Sequence, residues 1–243
     1  MLVGQAPARV SRIRRNGREP IVTECFADRA DAGRQLAHAL HDYAGRRDVV
    51  VLALPRGGVP VAFQIAQALR APLDVLVVRK LSMPSDPEFA IGAIATGGAM
   101  HLQHSAIRAM GVSDAQLADV IVRETAELHR RDMLYRGARP PLPVDGRITI
   151  VVDDGVATGA SMRVALQALR ERHPARIVAA APVAPADARH AFDDLADAFV
   201  TVLQPLSFFG ISQFYARFDQ TTDDEVRALL DAARAPDDDI TSA

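Results

Sequence analysis

Apolar positions along the chain fall into short continuous runs separated by stretches with a helical repeat. Val49–Leu54, Leu73–Val78, Ile148–Val152, Arg176–Val183 and Ala198–Leu203 are dominated by Val, Ile, Leu and Ala, the pattern of strands covered on both faces. Between them the spacing becomes helical. Asp28, an N-cap type, opens a segment with Leu36, Ala37, Leu40 and Tyr43 on one face, ending near Gly45. Val59–Leu69, Ala160–Arg172 and Ala186–Leu195 read as further helices. Ser113-x-x-Gln116 is a capping-box signature that starts a long helix to about Tyr135. Its polar residues (Arg123, Glu124, Glu127, His129, Arg130, Arg131, Asp132) predict a mostly solvated face, with Ile121, Leu128 and Leu134 turned inward. Ile91–Ala95 and Ala99–Leu102 flank Gly97-Gly98 as a β-hairpin. Strands alternating with crossover helices predict an α/β fold built on a doubly wound, mainly parallel sheet.

The 243 residues allow one large domain or two small ones. The pattern predicts a segment 1–24 that is flexible and a domain over 25–220. A C-terminal helix and acidic tail over 221–243 complete the chain. Residues 81–90, with two prolines, read as a loop. A single cysteine, Cys25, excludes an internal disulfide framework and favours a reducing, cytoplasmic setting. A formal net charge of −2 gives no reason to expect nucleic-acid or membrane partners. No apolar run approaches the ~20 residues that span a bilayer. The Arg-rich first 20 residues lack an apolar core, so they do not read as a secretory signal. Of 28 basic residues only Lys80 is lysine, which draws attention to the one place where a compact ammonium is used. Among the seven histidines, His38 and His41 share a helix face, but no third ligand accompanies them and no zinc site is expected.

Chemistry concentrates after the third long run, at Asp153-Asp154-Gly155-Val156-Ala157-Thr158-Gly159-Ala160-Ser161. Small residues let a backbone wrap a tetrahedral anion, and a helix N-terminus supplies free N–H donors and partial positive charge. Ala157, Thr158, Gly159, Ala160 and Ser161 therefore read as a monophosphate cradle. The Gly-Lys-Ser/Thr ending of a Walker A loop is missing. A phosphate beside two carboxylates requires a spacer, and a ribose is one: its terminal phosphate sits on the helix while its 2′- and 3′-hydroxyls donate to Asp153 and Asp154. Helix capping alone would need one acid, not two.

Ile148–Ser161 resembles the phosphoribosyl-pyrophosphate motif of type I phosphoribosyltransferases. Leu54-Pro55-Arg56-Gly57-Gly58-Val59-Pro60 resembles the family's pyrophosphate loop, which often holds a cis peptide; the matching bond is Pro55–Arg56. Arg79-Lys80, followed by the Pro-rich loop and Ile91-Gly92-Ala93, resembles the stretch of orotate phosphoribosyltransferases that contacts pyrophosphate and forms a mobile loop. The resemblance covers about residues 28–218. It implies an Mg²⁺-dependent enzyme in which an acceptor displaces pyrophosphate from the ribose, with a helical insertion at about 104–137 and a hood at about 204–218. Asp153, Asp154, Arg79 and Lys80 are then the catalytic residues. Arg56, Gly57 and Gly58, with Arg79 and Lys80, hold pyrophosphate, and Mg²⁺ lies near the acid pair, held mainly through substrate. The partners implied are phosphoribosyl pyrophosphate and a small-molecule acceptor; a homodimer is left open.

Two departures matter. Ala157 stands where hypoxanthine-guanine enzymes carry an aspartate, and the Ala-Thr-Gly loop is more similar to uracil phosphoribosyltransferase. Loop 81–90 lacks the orotate enzyme's Lys and His, offering Ser82, Ser85, Asp86 and Glu88; Glu88 is a candidate to orient the acceptor. Residues 208–218 hold five of the chain's 12 aromatics. A planar base has room to stack on Phe208 or Phe209 there, with Gln213 or Tyr215 reading its edge; the other reading is that these aromatics fasten the C-terminal segment to the core. A regulatory protein that binds the same ligand without turnover is the alternative function.

Overall fold

Five of the apolar runs lie side by side as parallel strands. In the computed structural model, which describes residues 10–12, 22–83 and 90–234, these are β3 (Val49–Ala53), β4 (Leu73–Val75), β8 (Ile148–Val152), β9 (Arg176–Val183) and β10 (Ala198–Leu203). Their spatial order is β10-β9-β8-β3-β4. A second sheet, antiparallel and three-stranded, contains β5 (Val78–Ser82), β6 (Ala90–Ala95) and β7 (Ala99–Leu102), and a short ribbon pairs β1 (Val10–Arg12) with β2 (Val22–Glu24).

Both faces of the parallel sheet are covered, which is why its strands read as unbroken apolar runs. On one face Val49, Val51 and Ala53 pack with helices α1 (Arg29–Ala39) and α2 (Gly58–Leu69). On the other, Val50 and Leu52 meet α5 (Ala160–Arg170), which turns Met162, Ala165, Leu166 and Leu169 inward. Spacings of three and four residues put those four side chains on one stripe. Each fully buried aliphatic side chain contributes about 1.5–3 kcal/mol, so the two layers dominate the stability of the sheet.

The single strand expected over Leu73–Val78 is two strands. The Leu76 amide still donates to the Ala53 carbonyl at 2.9 Å, but the Val77 amide donates to Thr96 Oγ1 and its carbonyl accepts from the Thr96 amide at 2.9 Å. At Val77 the chain thus exchanges β3 for β6 as its partner. Leu81 and Ser82, expected in a loop, extend β5; Ser85, Asp86 and Glu88 lie outside the described residues. Instead of a helix over Ala186–Leu195 there is one 3-10 turn, Ala188–Phe192, because the local bonds close three residues apart (Ala188 to Pro185, His190 to Asp187).

The expected insertion holds α3 (His104–Ala109) and α4 (Asp114–Arg136). Ser113 and Gln116 form the capping box reciprocally. The polar face of α4 is less solvated than its composition implies. Glu124 is buried and accepts Arg79 Nε at 2.9 Å, and Asp132 accepts Thr96 Oγ1 at 3.1 Å. Arg136 has no exposed side-chain surface; it meets Asp74 at 2.7 Å, Asp132 at 3.0 Å and the Val75 carbonyl at 2.9 Å. These ion pairs fasten α4 to the edge of the parallel sheet. Removing one partner of a buried pair strands the other charge, at about 3–5 kcal/mol. Asp74→Ala is therefore expected to lower unfolding free energy by about that amount in urea titration; a loss under about 1 kcal/mol would show that the pair does not hold α4.

Candidate active site at the strand crossover

From β3 the chain steps outward to β4, then returns to the opposite side of β3 as β8. In a doubly wound sheet this reversal opens a crevice at the carboxyl ends of the two central strands. The loops that leave here are 54–57 and 153–159, two of the three that the sequence singles out.

Their backbones touch. The Leu54 amide donates to the Val152 carbonyl at 2.8 Å. A β-carbon on Gly57 would stand 2.0 Å from Asp154 Oδ2, and one on Gly58 would stand 2.6 Å from the Val152 carbonyl oxygen. Glycine at both positions is what allows the loops to close on each other. The Pro55–Arg56 peptide is cis, as the resemblance implies. Gly159, with φ 74°, sits as the left-handed N-cap of α5, a conformation that suits glycine.

Asp153 and Asp154 lie between these loops. Asp154 is buried and takes an ion pair from Arg29 Nε at 2.8 Å, while Asp153 Oδ1 accepts the Asp154 amide at 2.9 Å. Burial raises the pKa of Asp153 well above the usual carboxylate range, and the neighbouring Asp154 charge raises it further. Burial also raises Asp154, with Arg29 pulling against it. The ligand-free pair is thus short of positive charge and of donors, which a diol or a cation would supply.

Arg29 is the site residue that sequence reasoning missed. It also donates to the Asp219 carbonyl at 2.6 Å and covers the Phe218 ring at 3.9 Å. A signal was present: Arg29 is the first residue of α1, where a cation opposes the helix dipole. An arginine in that place needs a partner elsewhere.

Two cavities meet at the acids. The smaller, about 140 Å³, is bounded by residues 153–162 and Ile211, and so by all five residues of the expected phosphate cradle. The larger, about 430 Å³, is bounded by Leu54, Pro55, Arg56, Asp153 and Ser161, and also by Arg130, Arg131 and Tyr135 of α4. Asp223, first residue of α6 (Asp223–Ala232), completes it. Asp153 and Ser161 border both. Asp223 accepts the Tyr135 hydroxyl at 2.7 Å and lies 3.8 Å from Arg56. Burial and that carboxylate push the Tyr135 pKa up to about 12.

The other expected site residues are more scattered. Arg79 is taken up by Glu124, and neither it nor Lys80 is among the described residues bordering the large cavity. Phe214 and Tyr215 are buried in a cluster with Phe26, and Tyr215 donates its hydroxyl to the Asp154 carbonyl at 2.5 Å. Phe208 packs on Phe214, Gln213 donates to the Ser207 carbonyl, and Phe209 is 91% exposed. The segment fastens the C-terminal part of the chain to the acid turn, where the Tyr215 hydroxyl is bonded.

Comparison with known proteins gives the family. The family described as phosphoribosyl transferase domain matches residues 26–216, and the chain belongs to it. Two Mycobacterium tuberculosis proteins, from strains CDC 1551 / Oshkosh and H37Rv, each named "Putative phosphoribosyl transferase", are 47% identical over 208 residues, 86% of this chain. The chain spans 47% of the length of these relatives. The crystal structure of TT1426 from Thermus thermophilus is 40% identical with a TM-score of 0.76, over 85% of this chain and 97% of that one.

The acid pair makes a signed prediction. A carboxyl whose pKa is higher folded than unfolded favours the fold at low pH and ceases to as pH rises through the folded value. Asp153→Asn should therefore stabilise the ligand-free protein at pH values above the folded-state pKa of Asp153, by about 1 kcal/mol or ~2–4 °C in Tm. The gain should vanish as acid protonates Asp153 in the parent. A variant whose Tm relative to the parent does not rise with pH would contradict the raised pKa.

Proposed function

We propose that this chain is a phosphoribosyltransferase that uses phosphoribosyl pyrophosphate, with Mg²⁺, to transfer ribose 5-phosphate to a nucleobase-like acceptor. The observation that carries the reading is the meeting of two cavities at Asp153: one opens on a helix N-terminus built of small residues, the other on Arg56 and the glycine loop.

The 5′-phosphate fits the smaller cavity. There the amides opening α5 and the hydroxyls of Thr158 and Ser161 donate to its oxygens. The ribose hydroxyls donate to Asp153 and Asp154, whose raised pKa values fall towards normal as those donors arrive. Arg29, at 2.8 Å, orients Asp154 and pulls against the effect of burial on its pKa. The pyrophosphate extends into the larger cavity towards Arg56 and the loop that carries Gly57 and Gly58. As the C1–oxygen bond to pyrophosphate breaks and the bond from C1 to the acceptor nitrogen forms, positive charge develops on the ribose. The adjacent carboxylates stabilise that charge, and the leaving anion is neutralised at Arg56.

The donor set suits Mg²⁺. Asp154 already serves Arg29 and Asp153 serves an amide, so the protein offers few free carboxylate oxygens; Mg²⁺ commonly takes one or two carboxylates with substrate phosphates and water. Asp153 and Asp154 are the residues that would hold it, and it would supply charge neutralisation on the pyrophosphate. The cytoplasm fits a site using this substrate, and no helix among the described residues is long and apolar enough to cross a membrane.

Exchange of labelled pyrophosphate into phosphoribosyl pyrophosphate, measured with a panel of nucleobases, tests the transfer reaction. Exchange with at least one base is expected; exchange with none would contradict it. Asp153→Asn combined with Asp154→Asn should weaken phosphoribosyl pyrophosphate binding about 100-fold or more, because each lost charge-assisted bond is worth about 1.5–3 kcal/mol.

A further inference from the structure

The reaction needs more positive charge around the leaving group than Arg56 supplies, and neither Arg79 nor Lys80, the basic residues expected to provide it, is among the described residues that line the cavity. Arg79 is held by Glu124. The other arginines on the cavity wall belong to α4: Arg130 and Arg131. We propose that α4 supplies the second half of the pyrophosphate clamp, with Arg130 and Arg131 binding the leaving group together with Arg56.

The inference rests on the phosphoribosyl pyrophosphate reading and deepens it. Its first support is position. The cavity that contains the two α4 arginines also contains Pro55, Arg56, Asp153 and Ser161. A ligand seated on the ribose and phosphate side therefore presents its pyrophosphate to this same space. At about 430 Å³ the cavity lies in the range of sites that take a whole small molecule.

The second support is preorganisation. Glu127 accepts Nε and Nη2 of Arg130 at 2.8 and 3.0 Å and Nε of Arg131 at 2.8 Å. These bonds, from Arg130 first and then Arg131, hold the Glu127 pKa down at about 2, so the carboxylate stays ionised. Each guanidinium has five N–H donors; one carboxylate cannot saturate two of them, and donors remain for a ligand. The helix beneath is rigid, tied by Glu124 to β5, by Asp132 to Thr96 and by Arg136 to Asp74. Side chains 64% and 44% exposed are reachable by a ligand from solvent.

The third support is charge balance. In the ligand-free chain Arg56 faces Asp223 at 3.8 Å, a carboxylate across the same cavity. An anion is what this set of groups is already arranged around, and pyrophosphate carries more charge than Asp223.

The test compares two ligands by calorimetry on the full chain: phosphoribosyl pyrophosphate with Mg²⁺, and ribose 5-phosphate, which lacks the leaving group. Arg130→Gln with Arg131→Gln should weaken the first about ten-fold or more and leave the second unchanged. In the parent, affinity for the first ligand should fall more steeply with salt than for the second; this comparison needs no variant. Equal affinity of parent and variant for phosphoribosyl pyrophosphate, or equal loss for both ligands, would overturn the clamp alone. A parent protein that binds neither ligand would remove the proposed function and the clamp with it.

Discussion

Everything at the site depends on how closely two loop backbones approach at the ends of β3 and β8. The Leu54–Val152 hydrogen bond and the absence of side chains at Gly57 and Gly58 bring the Arg56 loop against the acid turn with no room to spare. The parallel sheet holds this contact. Its central strands are buried on both faces, and they are neighbours only because the chain changes direction between β4 and β8. A wider gap would leave the small-residue turn that opens α5 and the Arg56 loop as two unrelated features. At this separation they form one trough with two acids at its middle.

The acids are costly to place there. Two neighbouring carboxylates, one buried and one half-buried, repel one another and lose hydration, and Arg29 offsets only part of that. A protein retains such an arrangement where a ligand supplies what is missing. The chain belongs to the phosphoribosyl transferase domain family over residues 26–216. Beside this centre lies the long helix α4. Through Glu124, Asp132 and Arg136 it is fixed to the body, and through Arg130, Arg131 and Tyr135 it closes the trough.

Much of this was legible in the residues. Strands buried on both faces announce themselves as apolar runs, and β3, β8, β9 and β10 lie where the runs do. The acid turn and the glycine loop were legible as candidates because the pattern is local, with adjacent residues in one turn carrying it. What escaped was long-range. Nothing near Val77 in sequence says that its backbone will leave β3 for Thr96. Arg130 and Arg131 look like ordinary solvated helix residues until α4 is placed over the trough, and Glu124 looks solvated until Arg79 finds it. The aromatic stretch at 208–218 had two readings, and the packing of Phe214 and Tyr215 on Phe26 favours fastening over base recognition.

The most direct test of the central claim is a crystal structure with ribose 5-phosphate bound. The account predicts the phosphate on the backbone amides of residues 157–161 and both ribose hydroxyls within hydrogen-bond distance of Asp153 and Asp154. A sugar phosphate bound elsewhere, or seated with its diol turned away from the acids, would contradict it.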